Sequence, residues 1–207
     1  MKPLLLLLLA SGRGTHAVNV IEATRDGRIV GTVTRLVSDR PDAPVLESAR
    51  ARGVPTEVLE PVHPGARLAP EAEARLLEIV GEDAPDLIAL CGFMRLLRKS
   101  FLDRVAAPIL NVHPSLLPAF PGLHAQRQAL EYGVRVAGAT VHFVDEGTDT
   151  GPIVLQAAVP VRGDDTEASL SARILVEEHR IYPDAVRLYA EGRIRLDGRR
   201  VHIRETA

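Results

Sequence analysis

Two polar side chains stand two residues apart where an apolar run meets a proline-rich segment. The run "APILNVHP" ends with Asn111 and His113, and Pro114, Pro118 and Pro121 follow within eight residues. Alternate residues of a strand point to the same side, so this amide and this imidazole are expected to face one site. A lone histidine at a strand end is more often structural than catalytic, but a pair with an asparagine that is locked by Pro114 favours a catalytic role, and an imidazole can move protons. The pair therefore predicts acid–base chemistry at the end of a strand.

Carboxylates for such chemistry are offered by the loop "DEGTDT". It holds Asp145, Glu146 and Asp149, and spacing alone does not select the useful one. A metal site built from His142, Asp145 and Asp149 is conceivable, but no established ligand spacing such as His-Glu-x-x-His is present. We expect no metal.

A glycine turn, "SGRGT", follows the leucine run at the start of the chain. Backbone N–H groups in such a turn, with a helix beginning behind it, make a site for a phosphate. Gly12 and Gly14 are not followed by the third glycine of a dinucleotide fingerprint, nor is there a Gly-Lys-Ser/Thr. The loop alone therefore leaves phosphate binding and a plain turn as alternatives.

The leucine run itself has two interpretations. Lys2, Leu4 to Leu9 and Ala10 resemble a short secretory signal, whereas a short apolar run ending in a glycine turn is typical of a buried parallel strand. It is too short to span a bilayer, which takes about 20 residues. We favour the strand.

A fourth segment, "CGFMRLL", presents an apolar surface with one cation. Met94, Arg95, Leu96 and Leu97 could carry a flat heteroaromatic ligand, or they could be ordinary core.

The elements that must position these groups alternate along the chain. Apolar β-prone runs recur near Leu4, Val33, Val54, Asp86 and Ala107, with helical patterns between them. These helical patterns are "AVNVIEATRDG", "DAPVLESARARG", "APEAEARLLEIVGEDAP" and "LLRKSFLDRV". The alternation predicts βαβ units with a mostly parallel sheet, whose ligand sites lie beyond the carboxyl ends of the strands.

Glycines at the ends of the helical patterns and the elements of the C-terminal half complete this prediction. Gly27, Gly53 and Gly81 are expected to end helices. Two strands around "DEGTDT", an amphipathic helix over 166–190 and a hairpin at Asp197-Gly198 follow. We predict one α/β domain over 1–207, doubly wound and Rossmann-like, with a C-terminal helix and hairpin.

Composition excludes several classes of protein. The net charge of −2 over 207 residues, with both signs interspersed, gives no basic surface for nucleic acid or an anionic membrane. The single cysteine, Cys91, rules out an intrachain disulfide framework and is expected to be a buried thiol.

Five segments together resemble the folate-dependent formyltransferase family. They are "SGRGT", "GFMRLL", "NVHPSLLPAFPGLHAQRQAL", "GATVHFVDEGTDTGPIVLQ" and "EEHRIYP", in that order over nearly the whole chain. The continuation "FPGLHAQRQAL" is similar to the purine-biosynthesis branch. The resemblance implies transfer of a formyl group from 10-formyltetrahydrofolate to the amine of glycinamide ribonucleotide, in the cytoplasm and without a metal.

The resemblance also implies roles for particular residues. Asn111, His113 and Asp149 match the catalytic trio, with Asp149 favouring the imidazolium form of His113. The ribonucleotide is expected at Gly14, Thr15, His16, Ala17 and Glu178. The folate is expected at Arg67, Met94, Arg95, Leu96, Leu97 and Asn111.

Two departures from the family pattern bear on the acceptor. Arg13 and His16 stand where the family commonly has asparagine, and either residue could strengthen phosphate binding or mark a different acceptor. The assignment of Arg67 rests on a segment that diverges from the family.

Other functions remain open on the sequence. Formyltetrahydrofolate hydrolases share the trio, and methionyl-tRNA formyltransferases share the Asn-x-His-Pro core. Their extra N-terminal or C-terminal domains are not expected here. A binding protein without activity would not need the whole trio. We expect a monomer or a homodimer.

Overall fold

The leucine run forms the first strand of a parallel sheet, which confirms the strand interpretation. In the computed structural model, which describes residues 2–62 and 64–205, β1 (Leu4–Ala10) pairs in parallel with two neighbouring strands. Its side chains from Leu6 to Ala10 are fully buried. The register against one neighbour shifts between Leu6 and Leu7. A run without polar residues suits a strand covered on both faces.

The chain divides into two compact units, 1–110 and 111–207. The sheet of the first unit has the order β3-β2-β1-β4 and is parallel throughout. Its other strands are β2 (Gly31–Ser38), β3 (Thr56–Val58) and β4 (Leu87–Leu90). Helices alternate with them, as predicted: α1 (Thr15–Arg25), α2 (Pro44–Arg50), α3 (Pro70–Asp83) and α4 (Lys99–Leu102).

Two of the three glycines expected to end helices do so. Gly27 follows α1 with a φ of 81°, and Gly53 follows α2 with a φ of 75°. Glycine adopts this left-handed conformation without steric cost.

The prediction for Gly81 was wrong, because α3 continues through it to Asp83. The left-handed position falls on Ala84, with a φ of 41°. Arg35 holds the last turn of the helix by binding Asp83 at 2.8 Å. This ion pair favours extension of the helix past the glycine.

The helix expected in "LLRKSFLDRV" is also shorter than predicted, since α4 covers only four residues. Arg98, directly before α4, has an extended backbone with a φ of −73° and a ψ of 154°, and the segment 96–98 binds another loop. The Leu96 N–H donates to the Ala66 carbonyl at 2.7 Å, and Arg98 Nη2 donates to the Leu68 carbonyl at 3.1 Å. The extended Arg98 stops the helix from starting earlier, and the two bonds hold this segment against the loop 64–68.

The second unit contains the strands that carry the predicted trio. Its strand order is β5-β6-β7, with β6 and β7 antiparallel. The elements are β5 (Ile109–His113), α5 (Ala125–Tyr132), β6 (Val136–Phe143), β7 (Ile153–Pro160), α6 (Glu167–Ala190), β8 (Ile194–Asp197) and β9 (Arg200–Ile203). Helix α6 begins at a capping box, in which Thr166 and Ser169 bond reciprocally.

The fold class is confirmed: seven strands form a mixed, mostly parallel sheet, followed by the long helix and an antiparallel hairpin. That 1–207 is a single domain stays a prediction. No helix in the described part of the chain has the length and apolar character needed to cross a bilayer.

Candidate active site

His113 and Asp149 form the centre of a buried polar cluster in the second unit. His113 Nδ1 lies 3.3 Å from Asp149 Oδ2, and the two side chains are only 7% and 13% exposed. The other ring nitrogen, Nε2, lies 2.8 Å from the carbonyl oxygen of Phe120. Both nitrogens therefore face acceptors, an arrangement that the doubly protonated ring satisfies because both nitrogens then donate.

A second histidine, His142 in β6, contacts the other oxygen of the same carboxylate. His142 Nε2 lies 3.6 Å from Asp149 Oδ1 and 3.3 Å from the side-chain nitrogen of Asn111. Its Nδ1 lies 2.9 Å from the carbonyl of Phe143 and so acts as a donor. In the neutral ring, Nε2 accepts one amide proton of Asn111, whereas in the protonated ring Nε2 donates to Asp149. The second amide proton remains for another acceptor.

The cluster keeps Asp149 ionised. Burial by itself would raise the pKa of this carboxyl group, but several favourable contacts outweigh it. A hydrogen bond with His142, one from the Gly122 N–H at 2.8 Å, and the charges of His113 and His142 hold the pKa below its usual value. The carboxylate therefore stays negatively charged at neutral pH.

The loop 144–151 gives Asp149 an unusual backbone conformation. Its φ of 54° lies in the left-handed region, which aspartate tolerates better than most residues. A Cβ on Gly147 would come within 2.0 Å of Thr150 Oγ1, and a Cβ on Gly151 within 1.8 Å of the Phe143 carbonyl oxygen. The loop is therefore too tight for any side chain at either glycine.

The proline-rich segment after β5 folds back onto the same two residues. The Phe120 carbonyl accepts from His113, and the Gly122 N–H donates to Asp149. Phe120 has a φ of 53°, which is rare for an aromatic residue. The predicted stiff loop thus supplies backbone groups to the cluster.

The structure brings together Asn111, His113 and Asp149, as predicted. It separates Asp145 from them, because that carboxylate binds Thr150 Oγ1 at 2.6 Å within its own loop. Across the described residues, no group of three or more His, Cys, Asp or Glu side chains is arranged to hold a metal ion.

His142 was considered in the sequence only as a metal ligand, and its contact with Asn111 was missed. The available signal was a polar pair, Thr140 and His142, inside an apolar strand. Both are almost fully buried, and buried polar residues need partners.

In the first unit, the glycine turn after β1 leads directly into α1. Gly14 caps the helix with a φ of 68°, and a Cβ there would meet Val45 Cγ2 at 2.0 Å. The first N–H groups of a helix have no partner within it, and they carry the positive end of its dipole. Thr15, His16 and Ala17 form this first turn. The turn therefore suits an anion.

The segment 92–98 in the same unit has no helix or strand and is held by hydrogen bonds. The Met94 N–H donates to Ser11 Oγ at 2.8 Å, and the Leu96 N–H donates to the Ala66 carbonyl. Among the residues described, the N–H groups of Arg95 and Leu97 have no acceptor. Met94 and Leu96 are 63% and 47% exposed. Alternate backbone donors and two apolar side chains are thus open to a ligand.

Three further residues singled out in the sequence have clear environments. Arg67 is exposed, and Glu178 is buried on α6. Cys91 is buried, as expected.

A family model and individual relatives both relate the chain to formyltransferases. The family model described as "Formyl transferase" matches residues 5–186. The chain is 41% identical over 203 residues to the phosphoribosylglycinamide formyltransferase of Escherichia coli K12, covering 95% of each protein. It is 39% identical over 189 residues to the human trifunctional purine biosynthetic protein adenosine-3, of which it spans only 18%.

Among solved structures, the chain is similar to glycinamide ribonucleotide transformylase 1 from Symbiobacterium toebii. The identity is 51%, the TM-score is 0.91, and the match covers 98% of this chain and 95% of that one.

Proposed function

The chain belongs to the formyl transferase family, and from that premise we propose that it transfers a formyl group from 10-formyltetrahydrofolate to the amine of glycinamide ribonucleotide in purine biosynthesis. The observation that carries the proposal is the ionised Asp149 shared by His113 and His142, with Asn111 beside it. Folate supplies the formyl group as a co-substrate. No metal takes part.

The reaction forms a C–N bond to the substrate amine and breaks the bond between the formyl carbon and N10 of the folate. The amine attacks the formyl carbon, and the carbonyl oxygen becomes an oxyanion. The second amide proton of Asn111 stabilises this charge, as does the Nε2 proton of His113. For His113 to donate, the formyl oxygen takes the place of the Phe120 carbonyl.

Proton transfer completes the step. The attacking nitrogen loses one proton and N10 gains one, so the net charge is unchanged. Asp149 stabilises the imidazolium form of His113, accepts the amine proton and passes it on to N10, directly or through a water molecule. Its lowered pKa keeps it in the ionised form that this role needs.

The ribonucleotide phosphate binds at Gly14, Thr15, His16 and Ala17. Backbone N–H groups at the start of α1 donate to it. Arg13 is exposed next to this turn and adds a positive charge. Glu178 accepts hydrogen bonds from the ribose hydroxyl groups.

The folate binds through the segment 92–98. The open N–H groups of Arg95 and Leu97 read the edge of the pterin, and Met94 and Leu96 cover its face. Arg67 provides an exposed cation for the carboxylate tail of the folate.

The remaining features of the proposal concern the cell and the assembly. The enzyme acts in the cytoplasm as a monomer or a homodimer, and it needs neither nucleic acid nor membrane.

Product analysis tests the function. Purified protein is incubated with 10-formyltetrahydrofolate, with and without glycinamide ribonucleotide, and formylated products are followed by mass. Formylated ribonucleotide together with tetrahydrofolate is expected, in equal amounts, and only when both substrates are present. Tetrahydrofolate formed equally without the ribonucleotide would indicate a hydrolase and contradict the proposal. Absence of turnover would contradict it as well.

A further inference from the structure

Asp39 lies directly after β2, at the carboxyl edge of the parallel sheet in the first unit. In nucleotide-binding α/β proteins, an acidic residue at this place commonly binds ribose hydroxyl groups. Here its side chain is only 3% exposed, and Oδ2 accepts from Arg95 Nε at 2.5 Å. The carboxylate is therefore committed to an arginine of the segment 92–98.

Arg95 uses its guanidinium to join three segments. Nε binds Asp39 after β2, and Nη1 donates to the carbonyl of Gly65 in the loop 64–68. Its side chain is 12% exposed. A guanidinium has donors in a fixed fork, so it can hold two acceptors in one geometry.

The bond to Gly65 belongs to a regular series between the two loops. Side-chain or backbone donors of Arg95, Leu96 and Arg98 bind the carbonyls of Gly65, Ala66 and Leu68. The partners differ by thirty positions in each case. Since 92–98 has no helix or strand, it is held by this series and by two bonds with Ser11, one from the Met94 N–H to Ser11 Oγ and one from the Ser11 N–H to the Gly92 carbonyl.

The ion pair is poorly explained by stability alone. Asp39 Oδ1 is shielded from solvent and, within the described chain, has no hydrogen-bond partner. Buried ion pairs often contribute little net stability because the desolvation of both charges opposes their attraction. Because Oδ1 of this buried carboxylate accepts no hydrogen bond from the described residues, we infer that Asp39 serves to orient Arg95 rather than to stabilise the fold.

We propose that Asp39 is a positioning residue for the folate: through Arg95 it orients the backbone of 94–97 so that the Arg95 and Leu97 N–H groups face the ligand. The role rests on the proposed function, since it requires that the folate bind at this segment. Asp39 itself touches no substrate. It sets the affinity for folate and leaves the chemical step unchanged.

The test replaces Asp39 with Asn and measures the steady-state constants for both substrates. The variant is expected to raise the KM for 10-formyltetrahydrofolate about tenfold, because the fork loses its charged partner. Its kcat and its KM for the ribonucleotide should remain within about twofold of the wild type. Asp42→Asn is the matched control, since Asp42 is an exposed acid that binds Arg40 nearby. This control should change none of the constants.

A second variant separates positioning from folding. Asp39→Leu combined with Arg95→Met removes both charges at once and keeps the backbone of residue 95, which avoids an unpaired buried charge. The variant is compared with the wild type by thermal unfolding and by equilibrium binding of 10-formyltetrahydrofolate. Weaker folate binding in a folded double variant supports the proposal. Folate binding equal to the wild type in either folded variant overturns it.

Measurements on the wild type distinguish a failure of the proposed function from a failure of the positioning role. If the wild-type protein itself does not bind or use the folate, the proposed function fails. If the wild type binds and transfers normally while an Asp39 variant retains the same folate KM, only the positioning role fails. An equal loss in kcat and in both KM values would also overturn it, since that pattern indicates general damage.

Discussion

The proposed reacting groups of the second unit and the proposed ligand-binding loops of the first unit are held in place by different means. His113, His142 and Asp149 are buried, and each is fixed by contacts between side chains or with a nearby backbone group. At the loops, the backbone conformation does the positioning, while Met94, Leu96 and Arg67 extend into solvent.

The difference indicates where sequence changes can be tolerated. The proposed chemistry in the second unit depends on the identity of Asn111, His113, His142 and Asp149, because each must supply a particular donor or acceptor. The proposed phosphate site in the first unit uses backbone N–H groups, which every residue except proline provides. The proposed phosphate site is therefore expected to tolerate Arg13 and His16.

The largest effect is expected from removal of the charge on Asp149. Asp149→Asn keeps an acceptor for the Gly122 N–H but no longer stabilises a charged His113. We expect kcat to fall by about 10² to 10⁴, with folate affinity nearly unchanged. Stopped-assay kinetics and folate binding are the measurements, with the exposed acid Asp164→Asn as control. Near wild-type turnover would contradict the assigned role.

His142 is the next most sensitive position, and it tests whether the second histidine belongs to the reacting cluster. His142→Leu removes the acceptor for Asn111 and a partner of Asp149, so kcat should fall about tenfold or more. His142→Gln offers an oxygen in a similar place and should restore part of the rate. Identical losses in both variants would indicate that His142 serves packing only.

Gly14→Ala examines the backbone-defined site in the first unit. The new Cβ would lie 2.0 Å from Val45 Cγ2 and would need a positive φ. The turn should shift, and the KM for the ribonucleotide should rise about tenfold with a lower melting temperature. Gly12→Ala is the control, because nothing lies within 4 Å of its added Cβ. If both variants behaved alike, the shape of the turn would not limit binding.

The side chain of His16, at the same proposed phosphate site, is expected to affect ribonucleotide binding less than the backbone of Gly14 does. His16→Ala removes one candidate contact but keeps the backbone N–H groups, so the KM for the ribonucleotide should rise about two- to fivefold. The KM for folate should stay constant. Equal weakening of both substrates would exclude His16 from the phosphate site.

The smallest effect concerns stability against acid. The pKa of Asp149 is lowered in the folded protein, so its ionised form contributes stability above its unfolded pKa, near pH 4. This contribution should disappear as the pH falls through the lower folded value. Urea unfolding of the wild type and of Asp149→Asn at several pH values should show the difference shrinking below about pH 4. A difference independent of pH would contradict the electrostatic origin.

Much of the fold followed from local patterns. The leucine run predicted β1, the helical patterns between the apolar runs predicted α1 to α3, and the amphipathic stretch 166–190 predicted α6. The prediction that α3 ends at Gly81 was wrong because Arg35, which is distant in the sequence, binds Asp83 in the last turn of the helix. The predicted extent of α4 was wrong because Arg98 has an extended backbone and the segment 96–98 is bound to the distant loop 64–68.

The candidate site likewise contains residues that the sequence could predict and residues that it could not. Asn111 and His113 were found because two residues on one strand fix their relation. Asp149 could not be chosen over Asp145 by spacing, and only the resemblance to a family selected it. The contributions of His142 and of the Phe120 carbonyl depend on three-dimensional proximity, so no local pattern predicted them.

The uniform leucine composition of β1 has a consequence for how the chain reaches its fold. A slip of one residue exchanges one leucine for another on both faces, so side-chain burial hardly distinguishes neighbouring alignments. Polar groups along the strand must therefore favour one register over its neighbours. The Leu5 N–H binds Asp86 Oδ2 at 2.9 Å, and the Leu6 carbonyl accepts from Thr34 Oγ1 at 3.0 Å beside the register shift. These two hydrogen bonds set the alignment that brings Ser11 and the glycine turn to the edge of the sheet.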